Sequence, residues 1–397
     1  MEHRLENLNQ RAYSQLVQTL EFWLHETTDQ VYGGFIGQID YRNHKNPQAD
    51  KGAVLNARIL WSFSAAHQLI PHAKYFSAAH RAFDYIENHF LNHDSKGLYW
   101  SVDYKGRPKE TKNQTYALAF MIYGLSEFYK ISAHPKALEY ALTLYQSIEE
   151  HTYDKQFNGY IEALDSSWNP LNDLRLSEKD QNTEKTFNTH LHIVEAYANL
   201  YQVWPDPHLK ERISNLLQLS ITYFVDPVAH RCRLFFDRQW NETLDHISFG
   251  HDIEASWLLT SCAEKTQDIK MLSRLKKLSL NLVRGVKNAV DKDGGLWYEK
   301  SLTNNDWIYE KHWWCQAEFW IGMIHAWQLT GTKHYFQLAE DNFNFVEKYI
   351  VDSQYGEWIW GIDKEMRPIE KDKVGPWKCP YHNTRAYIEL IQRLKPL

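Results

Sequence analysis

Residues 29–40 read DQVYGGFIGQID, and a segment of the same kind returns about every sixty residues along the chain. Each copy has a polar start, a glycine, aromatic residues and an acidic residue: HDSKGLYWSVD (93–103), DKQFNGYIEALD (154–165), DKDGGLWYEK (291–300) and DSQYGEWIWGID (352–363). One interval is about twice the others, and HRCRLFFDRQWN (230–241) fills that gap without the glycine. A fixed period of this length is the signature of a repeat architecture. We therefore count six units.

Paired helical segments lie between these turns. Residues 53–69 (AVLNARILWSFSAAHQL) and 75–91 (YFSAAHRAFDYIENHFL) form one pair, in which apolar residues recur at intervals of three and four. That interval is the period of an amphipathic helix. Six helical hairpins joined by short aromatic turns close most economically into a circle. The pattern thus predicts an all-α fold, an (α/α)6 barrel, as one domain over residues 1–397, and a straight helical solenoid is the alternative.

Composition argues against several classes of function. The formal net charge is -6, and binding the phosphates of a nucleic acid requires a basic surface. The sequence contains no apolar run of the roughly 18 residues that indicate a membrane span, and its start, MEHRLENLNQRAYSQ, lacks the apolar segment of a signal peptide. The four cysteines are scattered without CxxC spacing, which is typical of free thiols in a reducing compartment. We expect a cytoplasmic protein without nucleic-acid or membrane partners.

Aromatic residues make up 15% of the chain, above ordinary usage. Part of this excess packs the core of any helical protein. Tryptophan beside polar residues in short turns also suits stacking against a sugar, whose axial C–H face is apolar. The composition therefore favours a carbohydrate ligand.

Ionisable residues interrupt the apolar pattern where helices follow the turns. FNTHLHIVEAY (187–197) carries His192 and Glu195, SFGHDIEASWLL (248–259) carries His251 and Glu254, and PWKCPYHNTRAYIEL (376–390) carries His382. Such groups are costly in a core but tolerated beside a cavity. Segments at the same position in other repeats add further candidates: Arg58, Tyr116, Trp313, Trp314 and Glu318. Their shared position predicts one pocket at one mouth of the barrel.

Each of these residues also has an ordinary structural interpretation. A lone histidine is usually a surface or core residue, Arg58 can pair with a nearby acid, and the two tryptophans can fill the core. The His-x-x-Glu pairs leave two chemistries open: zinc held by three histidines, or a histidine held in one tautomer by its glutamate for acid–base work. Because HExxH and CxxC are both missing from the sequence, we predict no metal.

At these residues the chain resembles the N-acylglucosamine 2-epimerase superfamily, most closely its cellobiose 2-epimerase branch. The resemblance covers nearly the whole chain and rests on these segments: GGFIGQID, KGAVLNARILWSFSAA, NTHLHIVEAY, FGHDIEASWLL, WWCQAEFW and YHNTRAYIEL. It implies an (α/α)6 barrel without cofactor or metal that epimerises C2 of the reducing-end sugar of β-1,4-linked disaccharides such as cellobiose, lactose or mannobiose. The expected partner is a small-molecule disaccharide, and we expect a monomer or weak homodimer.

The resemblance also implies residue roles. His251 and His382 match the acid–base pair, His192 the third catalytic histidine and Glu254 the carboxylate that orients the histidine site. The substrate-binding set comprises Arg58, Tyr116, Asp180, Asn188, Trp313, Trp314, Glu318 and Trp377.

Histidine suits this chemistry because its ordinary pKa of about 6.5 lets it act as acid or base near neutrality. The C2 proton of an aldose is acidic once C1 is an open-chain carbonyl, and two histidines on opposite faces of the enediolate can remove and return it. Arg58 or a protonated His192 can stabilise the negative charge. Alternatives are an aldose–ketose isomerase similar to mannose isomerase and an N-acylglucosamine 2-epimerase. A barrel glycosidase using acids such as Asp252 and a catalytically silent sugar-binding barrel are favoured less.

Overall fold

The computed structural model describes residues 1–395, so the last two residues of the predicted 1–397 domain lie outside the described part. Twelve α-helices dominate it: α1 Glu2–Glu26, α2 Ala53–Leu69, α3 Ala73–His89, α4 Thr115–Ser132, α5 Pro135–Ser147, α6 Phe187–Tyr201, α7 Pro207–Leu219, α8 Phe249–Thr266, α9 Ile269–Val286, α10 Trp313–Thr330, α11 Lys333–Tyr349 and α12 Tyr381–Arg393. Short π-helical turns, Ile148–Thr152 and Ser220–Phe224, extend α5 and α7, and the 3-10 turn Lys287–Ala289 extends α9.

The even-numbered helices form a closed inner circle. Each contacts the next in the order α2, α4, α6, α8, α10 and α12, and α12 contacts α2. The outer helices α3, α5, α7, α9 and α11 each pack on the inner helix before them, and α1 packs on α12 to complete the sixth hairpin. This confirms the predicted (α/α)6 barrel, and closure of the circle rules out the straight solenoid.

Helix composition explains which helices are inside. Every residue of α2 from Ala53 to Ala66 is buried, as expected for a helix surrounded by neighbours. The outer helix α9 instead buries a single stripe: Met271, Leu275, Ser279, Leu282, Val283 and Val286. Apart from Ile269, the exposed residues of α9 are polar: Lys270, Ser273, Arg274, Lys277 and Arg284. Among the described residues, no helix is long and apolar enough to cross a membrane.

Short strands lie in the segments that lead from each outer helix to the next inner helix, at one mouth of the barrel. They are β1 Gln38–Ile39, β2 Lys45–Asn46, β3 Lys51–Gly52, β4 Leu91–Asn92, β5 Gly97–Leu98, β6 Ser101–Val102, β7 Pro108–Glu110, β8 Asn113–Gln114, β9 Ala163–Leu164, β10 Lys185–Thr186, β11 Val225–Asp226, β12 Arg231–Cys232, β13 Phe235–Phe236, β14 His246–Ser248, β15 Glu299–Ser301, β16 Trp307–Ile308, β17 Glu310–His312 and β18 Gly361–Asp363.

The strand before an inner helix pairs antiparallel with a strand in the second half of a turn motif. The pairs are β3–β6, β8–β9, β10–β13, β14–β15 and β17–β18. The sixth link is the bridge between Ile39 and Val374, which joins the first turn to the segment before α12. These links place all six inner-helix starts at the same end of the barrel.

The fourth turn keeps the common geometry despite its missing glycine. There β11 pairs with β12, with Val225 opposite Cys232. His230 takes the left-handed backbone conformation that this tight turn requires, with φ of 56°. This turn is therefore the copy that completes the expected set of six.

Buried lysines explain the acidic start of the motif. Lys51 pairs with Asp29 at 2.7 Å, Lys185 with Asp154 at 3.1 Å and Lys311 with Asp291 at 2.7 Å. Each lysine lies in the strand before an inner helix, and its side chain is at most 1% exposed. The aspartate neutralises a charge that would be costly if it were buried alone. These pairs tie the turns to the inner helices.

Candidate active site

Ten residues of the site lie within the first nine residues of the inner helices, at one mouth of the barrel. They are Arg58 on α2, Tyr116 on α4, His192 and Glu195 on α6, His251 and Glu254 on α8, Trp314 and Glu318 on α10, and His382 and Arg385 on α12. Helix N-termini carry positive partial charge. Six of them around one mouth favour a group on which negative charge develops.

His382 is held by a carboxylate from another helix. Its Nδ1 lies 2.7 Å from Oε1 of Glu318, whose Oε2 accepts the indole N–H of Trp257 at 3.1 Å. An ionised Glu318 accepts Nδ1–H and leaves Nε2 as a base, whereas a protonated Glu318 donates to Nδ1 and leaves Nε2–H as an acid. The contacts of the two acids differ from those expected of their predicted roles: Glu318, predicted to bind substrate, lies against Nδ1 of His382, and Glu254, predicted to orient the histidine site, accepts a hydrogen bond from Arg385 at 2.6 Å. Both roles stay predictions.

His192 and Glu195 form the pair that their spacing predicts. Nδ1 of His192 lies 2.8 Å from Oε2 of Glu195. Glu195 also accepts the hydroxyl of Tyr381 at 2.8 Å and Nη1 of Arg385 at 2.5 Å. Burial opposes ionisation of Glu195, but Arg385, His192 and Tyr381 outweigh it and lower the pKa of this carboxyl to about 2. Glu195 is therefore an anion that fixes one nitrogen of His192.

His251 has a different partner from the one its spacing suggests. Its Nδ1 lies 2.8 Å from the hydroxyl of Ser248, not beside Glu254. The Trp314 ring lies 4.9 Å from the His251 ring and 5.7 Å from the His382 ring, measured between centroids. Both histidine rings therefore lie beside the same tryptophan.

Both of these histidines are neutral at pH 7. Burial lowers the pKa of His251 below its ordinary value. Burial also lowers the pKa of His382, far below 6.5, and the cations Arg58 and Arg385 add to this shift. A neutral imidazole is the form that can accept a proton from carbon.

Arg58 is a buried cation without a carboxylate partner in the described part of the chain. Its Nη2 donates to the Tyr116 hydroxyl at 2.6 Å, and its guanidinium lies 4.1 Å from the Phe120 ring centroid. Because Arg58 forms no ion pair with an acid, the purely structural interpretation loses support. The geometry suits a guanidinium that meets negative charge on a ligand.

The other predicted binding residues are distributed unevenly. Trp377 lies half-buried at the mouth, with its ring 5.9 Å from that of Trp100 and 6.3 Å from that of Tyr116. Trp313 is buried and packs against Trp360, with 4.4 Å between the ring centroids. The structure therefore does not place Trp313 beside His251 and His382, where Trp314 lies.

Asn188 and Asp180 stay predictions. Asn188 is half-buried in the first turn of α6. Asp180 lies in the segment between β9 and β10, where its carboxylate accepts the backbone N–H of Ser177 at 2.9 Å and its hydroxyl at 2.7 Å. Neither set of contacts tests a role in binding sugar.

Sequence reasoning missed Arg385 and Tyr381. Both belong to the segment YHNTRAYIEL, and Arg385 stands three residues after His382 in an apolar helix. Arg385, like Arg58, is a cation inside an apolar helix, and this feature of the sequence marks it as a candidate.

The one cluster with metal-ligand composition in the described residues is Glu254, Glu318 and His382, whose ligand atoms lie within 4.8 Å of one another. Nη2 of Arg385 donates to Oε1 of Glu254 and to Oε1 of Glu318, each at 2.6 Å. The guanidinium thus occupies the position that a cation would take. This donor set fits an internal ion pair better than a metal centre.

Known proteins are similar to this chain in both sequence and fold. The N-acylglucosamine 2-epimerase (GlcNAc 2-epimerase) family model matches residues 34–386. A cellobiose 2-epimerase of Bacteroides fragilis is 42% identical over 373 residues, 94% of this chain and 95% of that protein. The solved structure of cellobiose 2-epimerase from Bacillus thermoamylovorans superposes with a TM-score of 0.93 at 35% identity, covering 98% of this chain and 100% of that one. A sugar epimerase from a ruminal bacterium gives a TM-score of 0.94 at 31% identity with the same coverage. The chain therefore belongs to the N-acylglucosamine 2-epimerase family.

Proposed function

We propose that this protein is a carbohydrate 2-epimerase that inverts C2 of the reducing-end glucose or mannose of β-1,4-linked disaccharides. The observation that carries the proposal is the pair of neutral histidines, His251 and His382, which both lie beside Trp314. Each has its Nδ1 engaged, by Ser248 and Glu318 respectively, which leaves both Nε2 atoms for substrate. The cellobiose 2-epimerases among its relatives supply the substrate class.

The reaction begins with the open-chain form of the sugar. One histidine removes the C2 proton, the C–H electron pair forms the C1–C2 double bond, and the C1 carbonyl oxygen becomes negatively charged. The other histidine then delivers a proton to the opposite face of C2, and the carbonyl re-forms. Atoms and charge balance without an external oxidant or cofactor.

Arg58 and the helix N-termini stabilise the enediolate. Arg58 is permanently cationic, and a buried cation stabilises developing charge more strongly than one in water. Tyr116, which accepts from Arg58 at 2.6 Å, fixes the guanidinium beside the pocket. Trp314 limits access of water to the reacting carbons, and Trp377 with Trp100 forms an aromatic surface for the distal sugar.

Product analysis tests this proposal. Cellobiose, lactose and mannobiose are incubated separately with the purified protein, and the products are identified by NMR. We expect the C2 epimer of the reducing-end sugar without free monosaccharide. Free glucose from cellobiose would contradict the proposal and support a glycosidase, a ketose product would support an isomerase, and turnover of N-acetylglucosamine alone would move the substrate class.

The pH profile should have an alkaline limb near pH 8. Burial and the neighbouring Glu254 raise the pKa of Glu318 to about 8, against the opposing effect of Arg385. The proton belongs to the Glu318–His382 pair, and while the pair holds it His382 Nε2–H can act as an acid. We therefore expect kcat/KM to fall as pH rises through about 8, measured from about pH 5 to pH 10.

On the acid side activity should persist below pH 6.5, because the pKa of His251 is lowered and the base stays neutral there. Glu389→Gln serves as a control because it removes a carboxylate that is not part of the Glu318–His382 pair. Glu389 pairs with Arg393 on α12, the helix that carries His382, away from the mouth. Its profile should match that of the wild type. A wild-type profile that stays flat through pH 8 and above would be inconsistent with the pair.

Chelation should leave activity unchanged. Arg385 fills the cation position between Glu254 and Glu318, so this cluster leaves no place for a metal ion. The measurement is the initial rate on cellobiose before and after exhaustive dialysis against EDTA. Loss of rate that one added divalent metal restores would overturn this expectation and revive the three-histidine zinc site.

A further inference from the structure

Arg385 joins three buried carboxylates that come from three different inner helices. Nη1 donates to Glu195 on α6 at 2.5 Å, and Nη2 donates at 2.6 Å both to Glu254 on α8 and to Glu318 on α10. The arginine is 2% exposed, and all three acids are buried as well. One side chain of α12 thus connects half of the inner circle.

The physical chemistry of this cluster requires a guanidinium. Three buried carboxylates repel one another, and each alone would favour its protonated form. A planar guanidinium donates in several directions within one plane, which an ammonium group cannot do. Burial alone would lower the pKa of Arg385, but Glu318, Tyr381, Glu195 and Glu254 together keep it well above the ordinary arginine value. Arg385 therefore stays charged.

Two of the three acids hold histidines: Glu195 binds Nδ1 of His192, and Glu318 lies against Nδ1 of His382. We propose that Arg385 is a positioning residue that fixes both carboxylates and, through them, the orientation and tautomer of His192 and His382. This inference rests on the proposed function, because it assigns how the acid–base groups of that reaction are held. Arg385 itself acts behind the histidines and not on the sugar.

The arginine also borders a cavity on the side away from the mouth that carries the histidines. A cavity of about 260 Å³ is lined by Arg385 and Glu195, and by residues near the ends of inner helices such as Gln68 and Lys265. A guanidinium ion is far smaller than this cavity. In a variant with a truncated side chain, a guanidinium ion from solution can therefore enter from behind without passing the sugar pocket.

Arg385→Lys is the first test, because it keeps the charge but loses the planar fork. We expect kcat on cellobiose to fall at least 100-fold with KM changed less than threefold. Histidine ¹⁵N NMR should show one tautomer of His382 in the wild type and a mixture in the variant. Arg393→Lys, the same substitution at an ion pair near the end of α12, should leave both kcat and KM unchanged.

Arg385→Ala is the second test. We expect added guanidinium chloride to raise the kcat of this variant at least tenfold. The same addition should not raise the kcat of the wild type. In the unrescued variant the pKa of His382 should rise, because Arg385 is one of the cations that lower it. If Arg385→Ala does not fold, Arg385→Lys decides alone.

An Arg385→Lys protein with kcat within threefold of wild type and an unchanged His382 tautomer would overturn the proposal. The NMR readouts need no turnover. A wild type that fails to epimerise therefore refutes the proposed function while the tautomer of His382 still tests the role of Arg385.

Discussion

His382→Gln is expected to lower kcat for cellobiose epimerisation by about 10³-fold, within the range of 10²–10⁴ that a positioned acid–base group contributes. Glutamine keeps an amide near Glu318 and retains most of the volume, but it cannot exchange a proton with carbon. The ring of His382 packs beside Trp314 and Tyr381, and both aromatic side chains remain in the variant, so KM should change little. The measurement is kcat and KM on cellobiose, with circular dichroism and thermal unfolding to establish that the variant is folded.

His325→Gln is the matched control for this variant. His325 is also a buried histidine on an inner helix, but it lies near the C-terminal end of α10, 3.5 Å from Arg393 and away from the mouth. Its substitution should leave kcat within twofold of wild type. If His382→Gln kept more than a tenth of wild-type turnover, His382 would lose its acid–base role.

His251→Gln is expected to abolish epimerisation but to leave proton exchange at one face of C2. His382 and its Glu318 partner remain in place, so C2 of the epimer whose proton faces His382 should still exchange with solvent. In D2O this variant should incorporate deuterium into one of cellobiose and its C2 epimer without interconverting them. His382→Gln should show the opposite preference, because the remaining histidine faces the other side of C2.

The control here is His246→Gln, in the strand that leads into the same helix. His246 pairs with Glu299 at 3.5 Å outside the histidine pair, and its loss should leave epimerisation within threefold of wild type. Equal exchange of both epimers by His251→Gln would show that one histidine serves both faces. The two-histidine mechanism would then fall.

The sequence pattern predicts the barrel well because two independent periods agree. The turn motif sets the number of hairpins, and the intervals of three and four set the helices. The position of the site follows from the same pattern. Polar residues at the starts of inner helices are tolerated beside a cavity but are costly in a packed core. Even the copy without glycine is predicted, and His230 shows how a non-glycine residue fills it.

Contacts between different helices are less predictable. His192 with Glu195 and His251 with Glu254 have the same spacing. The first pair forms a contact of 2.8 Å, whereas Nδ1 of His251 lies against the hydroxyl of Ser248. Spacing of three allows such a contact without selecting it over a competing partner. The bonds from Glu318 to His382 and from Arg385 to three acids depend on how helices meet in the barrel, which a single helix pattern does not contain.

Trp313 and Trp314 show a limit that helical geometry explains. Adjacent residues of an α-helix point about 100° apart, so both members of a doublet do not face one cavity. Trp314 lies beside His251 and His382, whereas Trp313 packs against Trp360. The doublet therefore supplies one side chain to the pocket and one to the surrounding core.

The most direct test of the central claim is incubation of the wild-type protein with cellobiose in D2O, followed by NMR of the reducing-end sugar. Two histidines on opposite faces predict a glucosyl-mannose product with deuterium at C2, because the proton delivered comes from a group that has exchanged with solvent. A C2 epimer that retains its original proton, or a keto product labelled at C1, would contradict this mechanism.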